Sequence, residues 1–212
     1  MREAGKPSKQ QIFVVDDDDA QRDSLVWLLE SHGHAVRAFS GAGDFLAVWN
    51  ENLAGCLLLD VRMPGMSGLE LFEELSRRHS ALPVILITGH GDVAMAVTAL
   101  KKGVADFIEK PFSPEEMLKV VDHCLTRESE EREHRLAQTD TAQRLAKLTR
   151  REQEVLDLII AGKLNKQIAD VLDISIKTVE VHRARLMGKM GVTTLASLIR
   201  RVVSAGLREA QG

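Results

Sequence analysis

Between Cys56 and Gly68 the chain reads C-L-L-L-D-V-R-M-P-G-M-S-G, a run that few folds accommodate. Cys56 to Leu59 are apolar on both alternating faces, too short for a buried helix and suited to a strand covered on both sides. Asp60 puts an acid where that strand should end. Pro64, Gly65, Ser67 and Gly68 supply turn chemistry, and Leu69, Leu71, Phe72 and Leu75 begin a helical spacing. A buried strand, a terminal acid and a returning helix form one unit of an open α/β sheet, whose ligands sit at the strand ends. Taken alone, Asp60 reads as readily as a helix cap or solvated loop acid as it does as a site residue.

The unit repeats along the first half of the chain. Ile12 to Val15 is a short apolar strand followed at once by Asp16, Asp17, Asp18 and Asp19, then by a helix carrying Leu25, Val26, Leu28 and Leu29. Asp18 or Asp19 can cap that helix and favour its positive end, which leaves Asp16 and Asp17 in need of a counter-ion. A strand near Ala35 to Phe39 and a helix near Asp44 to Trp49 come next, ahead of the strand ending in Asp60. Pro83 to Ile87 reads as a strand closed by Thr88 and Gly89, Val93 to Leu100 as a helix, and Ala105 to Glu109 as a strand closed by Lys110 and Pro111. Five strands alternating with helices predict a parallel, doubly wound sheet. Right-handed crossovers would place every strand's C-terminal end on one rim, and with them Asp16, Asp17, Asp60, Thr88 and Lys110.

Three carboxylates, a hydroxyl and an ammonium belong together around a hard cation and an anion. Carboxylates with a backbone carbonyl suit Mg²⁺ or Mn²⁺, and Mg²⁺ commonly pairs with phosphate. With repulsion offset by the metal, Asp60 can attack phosphorus and become an acyl phosphate. Lys110 would neutralise the transferred group and Thr88 would hydrogen-bond one of its oxygens, with Gly89 leaving room for entry. The Lys110–Pro111 bond is a candidate cis peptide that would aim Lys110 inward.

The D-D at Asp16 and Asp17, the L-L-L-D-V-R-M-P-G-M-S-G segment, I-T-G-H-G-D and F-I-E-K-P-F together resemble the receiver domain of two-component response regulators, FixJ-like ones in particular. The resemblance covers residues 1–123 and implies a flavodoxin-like (βα)5 fold. It implies Mg²⁺ held by Asp17, Asp60 and the carbonyl of Arg62, with Asp16 nearby, and phosphorylation of Asp60 by a cognate sensor histidine kinase. Phe107 matches the family's aromatic switch position, and Arg62 and His90 match positions that tune phosphate lifetime. Beyond phosphotransfer to itself and slow dephosphorylation, no enzymatic turnover is implied.

Residues 124–146 are rich in Glu, Arg, Gln and Ala, without Gly or Pro, and carry a sparse apolar stripe at Leu125, Leu136 and Leu145. This predicts a solvated helical linker, with a break near Gln138 to Thr141; the resemblance favours a continuation of the receiver's last helix. Plain spacer and dimerising helix are both open readings. Charge then changes sign: residues 1–146 carry 16 Lys and Arg against 24 Asp and Glu, a net of −8, and residues 147–212 carry 12 against 7, a net of +5. An acidic front and a basic rear point to a metal-using module joined to one that meets polyanions.

In residues 147–212, Thr149 and Glu152 have capping-box spacing, and Val155, Leu156, Leu158, Ile159 and Ile160 give an apolar face ended by Gly162. Further helices are predicted over Asn165 to Leu172, Lys177 to Met190 and Thr194 to Val203. A tight turn at Asp173 to Ser175 makes the second and third a helix-turn-helix in an all-α four-helix domain. Val179, Leu186 and Met190 form an inward stripe on the third helix, leaving Lys177, Glu180, Arg183 and Ala184 to face outward. L-T-x-R-E-x-E-V-L from Leu148, G-x-x-N-K-x-I-A from Gly162 and I-S-x-x-T-V-x-V-H from Ile174 resemble the LuxR-type effector domain of the FixJ/NarL group. Carried over, Lys166, Lys177, Thr178, Glu180, Val181, His182, Arg183 and Arg185 would contact double-stranded promoter DNA, with Val181 able to meet a thymine methyl. Glu180 stands where several relatives carry lysine.

The resulting expectation is a phosphorylation-controlled transcription regulator. Phosphate at Asp60 would draw in Thr88 and Phe107, reshape a face including Val97 and Lys101, and promote a homodimer on DNA, with RNA polymerase open as a further partner. Two rivals are a constitutive DNA-binding regulator and a haloacid-dehalogenase-like phosphatase, although D-D-D-D-A at Asp16 to Ala20 lacks the D-x-D-x-T/V order of the latter. Only 4% aromatic residues and no tyrosine disfavour a stacking platform for single strands. Cys56 and Cys124 read as buried reduced thiols. No apolar run reaches spanning length, which predicts a cytoplasmic protein with no membrane contact.

Overall fold

The computed structural model describes residues 9–89 and 93–206, with side chains left out for 93–96. His90, with Gly91 and Asp92 after it, falls outside the described residues. Two compact units divide between Glu130 and Glu131.

The first unit alternates strand and helix as its patterning predicts. The elements are β1 (Gln11–Val15), α1 (Asp19–Ser31), β2 (Val36–Phe39), α2 (Ala42–Val48), β3 (Gly55–Asp60), α3 (Gly68–Arg77), β4 (Val84–Thr88), α4 (Val93–Lys101), β5 (Asp106–Glu109) and the start of α5 (Pro114–Leu145). All strand pairs are parallel and the order is β2-β1-β3-β4-β5. Strand alternation feeds two apolar layers. Val15, Leu57, Leu59 and Leu86 pack with Phe45, Leu71 and Ala99 from α2, α3 and α4, whereas Val14, Leu58, Ile85 and Ile87 pack with Leu25, Leu29, Met117 and Val121 from α1 and α5. The three inner strands are thus buried on both faces, as their unbroken apolar runs require.

Two close approaches depend on glycine. At Gly55 (φ +122°) a Cβ would lie 1.8 Å from the Gln11 carbonyl oxygen, and at Gly68 it would lie 2.2 Å from that of Asp60. The second glycine lets the first turn of α3 close against the end of β3, with the Gly68 N–H donating to the Val61 carbonyl at 3.1 Å.

The second unit holds the end of α5 followed by α6 (Arg150–Ile160), α7 (Asn165–Leu172), α8 (Ile176–Met190) and α9 (Leu195–Ser204). Its core joins Val155, Leu156 and Ile159 to Ile168, Val179, Leu186, Met190, Leu198 and Val202. The predicted Thr149–Glu152 capping box forms, and Asp173 (φ 53°) and Gly191 (φ 64°) take the left-handed conformation that ends α7 and α8.

One expectation fails here. α5 runs without interruption through Gln138 to Thr141. The polar residues that read as a gap are engaged: Thr141 is buried and its hydroxyl donates to the Ala137 carbonyl at 2.7 Å. Asp140 accepts from Arg144 at 2.8 Å and lies 3.4 Å from Arg201 of α9. The stripe is sparse because that stretch of α5 packs through polar groups.

Candidate functional site

Each residue of the acidic rim is delivered by the end of a strand or the start of the next helix. Asp16 follows β1 and is buried, 1% exposed. Its Oδ1 accepts from the Asp18 N–H at 2.9 Å, its Oδ2 accepts from Gln21 Nε2, and its carbonyl accepts from Arg22 Nη1 at 2.8 Å. Burial, with a smaller push from Asp60, holds the Asp16 carboxyl above its ordinary value against the opposing pull of the Asp18 N–H, Lys110 and Gln21. Asp18 caps α1 by accepting from the Gln21 N–H, and Asp19 pairs with Arg22. Asp17 is exposed and has no partner among the described residues.

Asp60 closes β3 and is 5% exposed. Its Oδ2 accepts from the Arg62 N–H at 2.7 Å, and its Oδ1 is in contact with Lys110 Nζ, which also lies 3.8 Å from Asp16 Oδ2. One ammonium therefore stands against two buried carboxylates. Arg62 itself is exposed. The Lys110–Pro111 peptide is cis, as the sequence predicts.

Thr88 closes β4, one residue past Ile87, the register partner of Asp60. It is fully buried, and its Oγ1 has no hydrogen-bond partner among the described residues. Phe107 pairs in register with Leu86, so Phe107 and Thr88 share one sheet face; its ring is half-buried against the layer of α2, α3 and α4. Val97 (42% exposed) and Lys101 lie on the solvent side of α4.

The donor set at the rim is all oxygen: a free carboxylate at Asp17, carboxylates at Asp60 and Asp16, and the Arg62 carbonyl. Among the described residues no group of three or more His, Cys, Asp or Glu side chains is arranged to hold a metal. Two carboxylates with a carbonyl and water make a hard-cation site of the Mg²⁺ type without such a group. The donor chemistry fits the cation. Gln21 and Arg22 escaped the sequence reading, because a helical Gln or Arg carries no signal of its target, and Gly68 was read there only as turn chemistry.

In the second unit, α8 turns Val179, Leu186 and Met190 into the core. Lys177, Thr178, Glu180, Val181 and Arg185 are exposed, as is Lys166 on α7. Thr178 also joins the start of the helix, its N–H donating to Ser175 Oγ at 3.1 Å. His182 and Arg183 are half-buried, because they flank the inward stripe, and His182 Nδ1 has no partner among the described residues. A short helix, a tight turn and a second helix with a solvent-facing basic side form the geometry that enters a major groove.

Comparison with known proteins agrees with the two-part architecture. Residues 12–122 match the response regulator receiver domain, and residues 146–202 match the bacterial regulatory proteins of the luxR family. This chain belongs to the FixJ/NarL (LuxR-type) family of two-component response regulators. It is 45% identical over 204 residues to the transcriptional regulatory protein FixJ of Azorhizobium caulinodans, covering 96% of this chain and 97% of that one. It is 43% identical to the C4-dicarboxylate transport transcriptional regulatory protein DctR of Rhodobacter capsulatus over 89% of this chain and 97% of the other. Among solved structures, response regulator StyR matches with a TM-score of 0.84 and 43% identity over 92% of this chain and 99% of its own. Full-length FixJ from B. japonicum matches at 0.59 and 40% over 95% and 99%. For this response regulator, family membership brings phosphorylation-dependent transcriptional regulation, Mg²⁺-dependent receiver chemistry, a histidine kinase partner and DNA. Self-directed phosphotransfer and dephosphorylation take the place of enzymatic turnover. No described helix is long and apolar enough to cross a membrane.

Proposed function

We propose that Asp60 is the phosphoacceptor and that Asp17, Asp60 and the Arg62 carbonyl hold Mg²⁺ beside Asp16. When bound, the cation offsets the carboxylate charge and polarises the phosphoryl oxygens. An Asp60 carboxylate oxygen attacks phosphorus, the P–N bond to the donor histidine breaks, and an acyl phosphate forms. Lys110 moves its charge onto the new group, and the Thr88 hydroxyl donates to one of its oxygens.

The observation carrying this reading is the fully buried hydroxyl of Thr88, without a hydrogen-bond partner among the described residues, on the strand next to buried Asp60, which Lys110 contacts. A buried hydroxyl without a partner is unfavourable unless another state supplies one. Phosphorylation supplies about 1.5–2 negative charges and three acceptor oxygens. Thr88 then shifts inward, Phe107 follows on the same sheet face, and the α4 surface with Val97 and Lys101 is remodelled to pair with a second copy. Paired effector domains place two α8 helices on half-sites about one helical turn apart, where Lys166, Lys177, Thr178, Val181, His182, Arg183 and Arg185 meet phosphates and bases. The functional division we assign is receiver 1–123, helical linker 124–146 and effector 147–212, with RNA polymerase as a further partner.

Acetyl phosphate with Mg²⁺ should convert the wild-type chain from monomer to dimer by sedimentation and tighten promoter binding. Asp60→Asn should abolish both responses. Dimerisation of the variant equal to wild type would refute the switch and favour a constitutive regulator.

A further inference from the structure

The basic face of α8 contains one residue of the wrong sign for a phosphate lattice. Glu180 is the only acid in α8, and it lies in an effector segment whose net charge is +5. It is exposed and makes no hydrogen bond or ion pair among the described residues, although Lys177 lies one turn before it and Arg183 and Ala184 one turn after.

Structural duties do not account for it. Ser175 already caps α8, accepting from the Thr178 N–H, and the first turn of the helix contains no acid. Glu180 begins the second turn, beyond the reach of favourable interaction with the helix dipole. No core group contacts it. In a groove lined by phosphates, an unpaired carboxylate is repelled and desolvated unless it finds a donor.

A carboxylate only accepts hydrogen bonds. In the major groove the bases offer two donors, cytosine N4 and adenine N6. Adenine sets its N7 acceptor beside N6, so a carboxylate bonded there faces a second lone pair. Cytosine presents its amine with no acceptor on its own groove edge. We infer that Glu180 reads cytosine in each half-site by accepting from the N4 amine. Val181, its neighbour on the exposed side and 44% accessible, supplies apolar surface for an adjacent position. This inference rests on the DNA-reading role of α8 proposed above and goes beyond it by naming a base.

In vitro selection from a randomised duplex library tests it, using full-length protein with acetyl phosphate and Mg²⁺. Wild type should enrich a half-site with one fixed cytosine. Glu180→Ala should lose preference at that position alone, by roughly ten-fold or more in relative affinity, with the other positions retained. Glu180→Gln should move the preference to adenine, because an amide donates to N7 while accepting from N6. An unchanged cytosine in both variants, with uniformly tighter binding, would identify Glu180 as a bystander repelled by DNA and overturn the inference alone. Loss of preference at a guanine would overturn it in favour of an acid that steers an arginine. If wild type enriches no motif, the DNA-reading role falls and the inference falls with it.

Discussion

Thr88 buries a hydroxyl that bonds to nothing among the described residues, and such an unmade bond costs about 1–3 kcal/mol. Valine has the same shape and removes the group. Thr88→Val should therefore leave the receiver as stable as wild type or up to roughly 2 kcal/mol more stable in urea unfolding followed by tryptophan fluorescence. Trp27 and Trp49, the only tryptophans, both lie in the first unit and make that signal specific. The same variant should weaken acetyl-phosphate-dependent dimerisation. A loss of stability with intact dimerisation would show that the hydroxyl serves the resting fold. At this scale Asp60 and Thr88 were legible because each interrupts an apolar run at a strand end, and Lys110 because it follows the last strand directly ahead of Pro111. Gln21 and Arg22 were not: their contacts with Asp16 follow from how α1 is set against β1, which no local pattern encodes.

Among the elements, the capping boxes were readable because their partners lie three residues apart. Their tertiary extension was not. Lys189, from the last turn of α8, donates to Glu152 Oε2 at 2.6 Å, tying the start of α6 to the end of α8. Burial pushes the Glu152 carboxyl up, but Lys189 and Thr149 together outweigh it and hold it below its ordinary value. A carboxylate with a lowered folded pKa stabilises fully above its unfolded pKa of about 4.3 and loses that contribution as pH falls through the folded value. Glu152→Gln should destabilise the second unit at pH 7 by roughly 1–3 kcal/mol and flatten its stability profile below about pH 4.3. Helical circular dichroism should detect the change while the tryptophan transition stays put. The unbroken α5 teaches the converse lesson: a polar stretch read as a gap is continuous helix, because Thr141, Asp140 and Arg144 find partners within α5 and on α9.

Across the whole molecule, charge is divided between an acidic front, net −8 over residues 1–146, and a basic rear, net +5 over residues 147–212. Exposed Lys177 and Arg185 predict a salt-dependent grip: replacing either with Ala should lower the slope of log K against log salt by about 1 in fluorescence anisotropy. Binding of the phosphorylated form to paired half-sites should show about twice the slope measured on a single half-site. An unchanged slope would remove that side chain from the phosphate contacts. By itself the amino-acid order determined the doubly wound sheet, the rim acids and the helix-turn-helix, because strand alternation, capping spacings and apolar stripes are local and periodic. Only the tertiary structure decided that Lys110 stands against both Asp60 and Asp16, and that among the described residues Thr88 is left unsatisfied and Glu180 has no partner. Those facts depend on distances between elements far apart in the chain, and hydrogen-bond satisfaction exists only once the elements have packed.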